Sequence, residues 1–326
     1  MARKPKNPQR RKMILLTIVL GLLLGPLMIP ISTSGANDFK QAAGENATFF
    51  KSVGIDVHYV QTPPRASCLV PGKLIVLIHG FGASTFSWQL VENDFSPCDE
   101  VIAYDRPAFG FTERPLSWKG MNPYSTEAQL QIIDDLIAKF ANGRKVVLVG
   151  HSAGGTIAAE YAITRPAAVA SLVLESPAIL NDTPGAGMAW LTYVPQIDRV
   201  GPALVASIAT SGDTLLRESF HDTAKLTQST YDGYHAPLKI KNWEFAFWEF
   251  SRADKTTTVR GRLGEFAMPV LLITGDDDRV VETALTEKLA TRMTLAKLVV
   301  VPKAGHLLHE ENPTAFIQAV TEFIDQ

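Results

Sequence analysis

Val146-Val147-Leu148-Val149-Gly150-His151-Ser152-Ala153-Gly154-Gly155-Thr156-Ile157-Ala158-Ala159-Glu160-Tyr161 decides the fold of this chain. An apolar, β-branched run enters a glycine-flanked serine and leaves as a helix-forming segment. The Gly-x-Ser-x-Gly spacing is what a nucleophile elbow requires. Small residues on either side let the helix pack close under the strand, and they tolerate a strained backbone that lifts the hydroxyl into the open. Small-residue clusters also mark ordinary strand-to-helix turns, so the flanking strand and helix carry the reading.

Outward from that elbow, the same kind of strand recurs. Leu74–Ile78, Val101–Tyr104, Ala170–Leu174, Val270–Thr274 and Leu298–Val301 are short apolar runs without alternation, as expected for strands buried on both faces of a parallel sheet. Phe49-Phe50 and Ile55-Asp56-Val57-His58-Tyr59 alternate instead and predict an opening hairpin. Helical spacing predicts helices over Thr126–Phe140, behind the cap residue Ser125, and over Thr283–Met293 and Pro313–Phe323. Alternating strand and helix predicts an α/β fold with a doubly wound, mostly parallel eight-stranded sheet. Ligands of such sheets bind at the carboxyl ends of the strands.

Residues 177–258 break the alternation. No buried strand is visible there, and Trp190, Tyr193, Tyr231, Tyr234 and Trp243 through Phe250 make the stretch too aromatic for a disordered connection. It is predicted to be a helical cap inserted after the sixth strand, with Pro184-Gly185 near its start and its rings roofing an apolar pocket. The expected α/β core is then 49–176 with 259–326.

The first 48 residues read differently. Residues 1–12 form a basic head holding six of the chain's 31 basic side chains, and no acid precedes Asp38. The remainder carries 25 basic against 33 acidic side chains, which excludes nucleic acid as a partner. Residues 13–31 are uncharged and apolar. As one helix they would reach roughly 28 Å, about a hydrocarbon thickness. They are expected to be a transmembrane signal anchor holding the body at the membrane, outside the cytoplasm. A cleaved signal peptide, cut near Ser34-Gly35-Ala36, is the alternative and would release a secreted protein. Residues 32–48 read as a polar linker. Cys68 and Cys98 are the only cysteines, each shortly before a predicted strand. They are either an intrachain disulfide or two unrelated small residues.

A serine hydroxyl needs a base to take its proton and an acid to orient that base. His306, in Gly305-His306-Leu307-Leu308, follows one strand, and Asp276-Asp277-Asp278 follows another. Both lie on the edge that carries Ser152, in the chain order serine, acid, histidine. His79-Gly80-Phe81-Gly82 ends the strand at Ile78 in a glycine-rich turn. The backbone amides of Phe81 and Ala153 are the expected oxyanion hole, each donor worth about 2.7–4 kcal/mol in the transition state. No zinc-ligand spacing, phosphate loop or dinucleotide fingerprint appears, so no metal or cofactor is expected.

These residues, together with Tyr104 through Gly110, Gly275 through Val281 and Glu311-Asn312-Pro313, resemble the α/β-hydrolase fold superfamily, from roughly Phe49 to Phe323. The loop Asp105 to Gly110 is similar to that of cap-bearing members, namely esterases, carbon–carbon bond hydrolases and epoxide hydrolases. Ala108 replaces a usual glycine, a departure expected to alter the loop only slightly. Epoxide hydrolases and haloalkane dehalogenases of this superfamily use an aspartate nucleophile, so Ser152 argues against both. The resemblance selects Asp278 as the acid over Asp276 and Asp277, with Glu175 as the alternative. It implies a serine hydrolase acting on an apolar, small-molecule ester or similar acyl substrate. Carbon–carbon hydrolysis, perhydrolysis, acyl transfer and a non-catalytic binding role are the alternatives. His309 and Glu310 are expected at the surface, Asp105-Arg106 as a local ion pair, and Trp88 in the core.

Overall fold

The computed structural model describes residues 8–28, 30, 34–70, 72–181, 191–206 and 208–326. Trp190 and Pro184-Gly185 lie outside the described residues. Eight strands form one sheet: β1 (Thr48–Ser52), β2 (Ile55–Thr62), β3 (Leu74–Ile78), β4 (Glu100–Tyr104), β5 (Val146–His151), β6 (Ser171–Glu175), β7 (Val270–Gly275) and β8 (Ala296–Val301). Their order is β1-β2-β4-β3-β5-β6-β7-β8. The hairpin β1–β2 and the β2–β4 pair are antiparallel, and every other pair is parallel. All residues of β3, β4, β5 and β7 are buried, which is why their sequences show no alternation.

Side chains still alternate between the sheet's two faces. Leu74, Val76, Ile78 and Leu148 point to the face covered by helices α3 (Thr126–Phe140) and α4 (Ala153–Thr164). Ile75, Leu77, Val147 and Val149 point to the opposite face, against Trp88 and Phe316 of α11 (Pro313–Ile324). Ser125 caps α3 as expected, its side chain accepting from Ala128 N at 3.2 Å. The remaining core helix, α9, runs Thr283–Ala290 and ends earlier than its apolar spacing predicts.

Between β6 and β7 lie α5 (Pro195–Val205), α6 (Ile208–Glu218), α7 (Gln228–His235) and α8 (Trp243–Arg252). These four helices stand where the cap is expected. Trp243, Phe247, Trp248 and Phe250 of α8 pack with Phe109 and Tyr124 of the sheet-edge loops, joining cap to core through an aromatic cluster.

The amino-terminal expectation is corrected. Helix α1 runs Pro8–Leu24, 17 residues, and Pro26–Met28 turns as a separate 3-10 segment. Pro26 has no N–H to continue the ladder, so α1 ends there. Its apolar part, Met13 to Leu24, spans only about 18 Å, short of the ~30 Å hydrocarbon core. Among the described residues no helix is long and apolar enough to cross a membrane. The membrane anchor, the membrane partner and the location that depended on that span fall with it. The residues expected as a cut site are instead bonded to the cap. Ser34 N donates to Glu244 Oε1 at 2.6 Å, Trp243 Nε1 donates to Ser34 Oγ at 2.9 Å, and Ala36 N donates to Lys239 O at 3.1 Å. The stretch after them is not all linker: α2 (Phe39–Ala43) forms behind Asp38. Cys68 and Cys98 are joined by a disulfide.

Candidate active site

Parallel register brings the chemistry to one edge. Ile78 pairs with Gly150, His151 with Glu175, and Gly275 with Val301, so the loops after β3, β5, β6, β7 and β8 emerge side by side. Ser152 stands at the apex after β5 with φ 53° and ψ −119°. That left-handed backbone on a non-glycine residue costs roughly 1–3 kcal/mol and persists only where the surroundings enforce it. Here Ser152 N donates to Glu175 O at 2.9 Å, and Ala178 N donates to Ser152 O at 3.1 Å. A Cβ at Gly154 would lie 2.3 Å from Ile78 O, so only glycine lets α4 begin directly under the serine.

His306 Nδ1 lies 2.9 Å from Asp278 Oδ2, and both side chains are buried. The other Asp278 oxygen accepts from Val280 N and Val281 N, each at 2.9 Å, which fixes the carboxylate plane. Backbone N–H of His306 donates to Ser219 O at 2.8 Å, tying its loop to the cap. Ser152 and His306 line one pocket, and among the described residues no hydrogen bond joins Ser152 Oγ to the imidazole. Such bonds commonly tighten only when substrate is bound. The N–H groups of Phe81 and Ala153 donate to nothing among the described residues. The pocket wall is largely apolar, with Phe109, Leu216, Leu238, Trp243 and Phe247.

The competing acids have other partners. Asp276 Oδ1 accepts from Lys303 N, and Asp277 pairs with His221 and Arg279. Glu175 bonds His309 Nδ1 at 2.8 Å rather than His306. Three further expectations are corrected. His309 is fully buried, stacked on Trp88 with ring centroids 4.2 Å apart, and the Glu310 side chain is only 6% exposed. Burial alone would lower the His309 pKa, but the Glu175 carboxylate outweighs that and raises it. Asp105 and Arg106 form no ion pair. Asp105 takes His58 Nδ1 at 2.8 Å and the amides of Thr85 and Phe111, while Arg106 donates to Gln129 Oε1 and His79 O. Burial would raise the Asp105 carboxyl, and His58 beside it brings it down to about 2. His79 and His151 are kept neutral by burial, His79 at about 4 and His151 well below the usual value.

Sequence reasoning placed Glu311 in the Glu311-Asn312-Pro313 motif but gave it no role. Its carboxylate accepts from Gly305 N, His221 N and Asp222 N, so it organises the His306 loop and the adjoining cap segment together. Its role could not be read locally, because two of its three amide partners, His221 and Asp222, come from the segment between β6 and β7.

The family model described as the alpha/beta hydrolase family matches residues 75–319. The chain belongs to the alpha/beta hydrolase family. The hydrolase is 26% identical over 273 residues to an uncharacterized hydrolase, YugF, of Bacillus subtilis, covering 83% of this chain and 95% of that protein. It is 25% identical over 293 residues to epoxide hydrolase 3 of Xenopus tropicalis, covering 85% and 76%. Among solved structures it resembles a meta-cleavage product hydrolase from Pseudomonas fluorescens, with TM-score 0.64, 22% identity and coverage of 85% and 97%. That last likeness is one of fold.

Proposed function

We propose that this alpha/beta hydrolase cleaves an ester or similar acyl substrate through an acyl-enzyme. Ser152 attacks the carbonyl, and His306 takes the hydroxyl proton and returns it to the leaving group. Asp278 orients the imidazole and stabilises its charged form. The amides of Phe81 and Ala153 hold the oxyanion, water resolves the acyl-enzyme, and no metal or cofactor enters. Residues 49–176 and 259–326 form the hydrolase core, and 177–258 the cap that shapes the acyl pocket.

The carrying observation is Ser152 in a strained, positive-φ turn, sharing a pocket with an imidazole whose far nitrogen is held by Asp278. A serine at this apex favours acyl chemistry over the epoxide opening named for one relative, since epoxide hydrolases of the superfamily use an aspartate there. Ser152→Ala is expected to cut turnover of a short-chain p-nitrophenyl ester by at least about 10³-fold with the thermal midpoint retained. A fluorophosphonate probe is expected to label Ser152. Full activity in the alanine variant sinks the assignment.

A further inference from the structure

Arg114 is a cation built into the wall of the Ser152 pocket without a counter-ion. It lines the cavity and is 5% exposed. Its Nη2 donates to Gly110 O at 2.7 Å and its Nη1 to Pro237 O at 2.8 Å, both neutral carbonyls. Among the described residues no carboxylate forms an ion pair with it, and its Nε has no partner. Asp105 and Glu244 favour its charge only through space: Asp105 holds His58, and Glu244 Oε1 accepts from Ser34 N while its Oε2 has no partner. Burial brings its pKa down only to about 10, so it stays charged at neutral pH.

The other carboxylate on this wall, Asp213, and the Tyr234 hydroxyl already have partners. Asp213 Oδ1 lies 2.7 Å from His235 Nε2, and the Tyr234 hydroxyl donates to Glu310. An uncompensated buried charge is expensive, and a guanidinium offers a planar fork that matches a carboxylate. The two carbonyls hold the guanidinium at the cavity wall, and among the described residues its Nε–H has no partner. Next to it the wall is apolar, with Phe109, Leu238 and Trp243.

We propose that Arg114 is a specificity-determining residue that receives a carboxylate at the far end of the acyl group, so that the preferred substrates are half-esters of dicarboxylic acids. The apolar wall takes the methylene chain, and Ser152 attacks the ester carbonyl at the near end. The proposal rests on the acyl-hydrolase reading for turnover, but not for binding.

The test compares p-nitrophenyl half-esters of adipic, pimelic and suberic acid with p-nitrophenyl esters of the monocarboxylic acids of equal chain length. The native chain is expected to favour at least one half-ester in kcat/KM by about tenfold or more. In Arg114→Met that ratio is expected to fall by about tenfold, and in Arg114→Lys by less, since charge survives without the fork. A native preference for every neutral ester overturns the proposal. So does an equal loss on both series in Arg114→Met, which would make the arginine a structural tie alone. If neither series is turned over, the acyl-hydrolase reading fails on its own, and binding then decides. Calorimetry on Ser152→Ala is expected to show monomethyl suberate binding more tightly than methyl octanoate, a difference lost on adding Arg114→Met. Equal or weaker binding of the half-ester overturns the proposal whatever the chemistry at Ser152. Should Arg114→Met not fold, Arg114→Lys and the native comparison decide the matter in the same way.

Discussion

Ala108 sits at φ 77°, in the left-handed region that a side chain normally avoids, and it is buried beside the pocket. Replacing the usual glycine was expected to matter little; the backbone shows a local cost instead. Two residues on, Gly110 could not accept the reverse change, since its Cβ would fall 1.9 Å from the Asp105 carboxyl carbon. Ala108→Gly is therefore expected to stabilise the protein by up to about 1 kcal/mol, read as a higher urea midpoint. A lower midpoint would mean that packing of the Ala108 methyl outweighs the strain. Ser152 and His306 stood out as candidates because each follows an apolar strand in a recognisable turn. The run Asp276-Asp277-Asp278 left its acid open, and only the family resemblance chose Asp278. The pairing of Asp105 with His58 was not legible. Neighbours in sequence need not be neighbours in charge, and the strand that brings His58 alongside is distant in the chain.

Among the elements, the strands and α3 could be read from their residues, because burial on two faces and a serine cap leave local signatures. Helix α10 (Leu308–Glu311) could not. Four residues carry no periodicity, and the burial of His309 among them comes from the rings of Trp88 and Phe316, which are distant in sequence or on another helix. Tyr234 of α7 donates its hydroxyl to Glu310, linking cap to core at that point. Burial pushes the Glu310 carboxyl up to about 7, against a lowering by His309. Its folded pKa thus exceeds its unfolded one, so folding retains a proton that the unfolded chain has lost. That contribution is complete at acidic pH and is lost as pH rises from the ordinary carboxylate range through about 7. Glu310→Gln cannot ionise, and it is expected to gain thermal stability relative to the native chain on going from pH 5 to pH 8. A difference between the two proteins that does not change with pH would refute this coupling.

Across the molecule, the disulfide closes a separation of 30 residues between the segments that enter β3 and β4. By the chain-entropy relation that loop is worth about 3–4 kcal/mol. Paired Cys68→Ala and Cys98→Ala replacement is expected to lower stability by about that amount in urea unfolding, with the fold and Ser152 labelling kept. No loss of stability would show that the sheet alone holds the two segments. Apolar runs, caps and turn residues act over a few neighbouring positions. They suffice for the α/β class, the place of each central strand, the elbow at Ser152 and the break in alternation before β7. Three other features emerged only on folding: how the amino-terminal residues are used, which acid faces which histidine, and that Arg114 borders the pocket without a counter-ion. Each of those depends on partners distant along the chain. Pro26 ends a helix that composition alone would extend, and the cap then bonds the residues that follow.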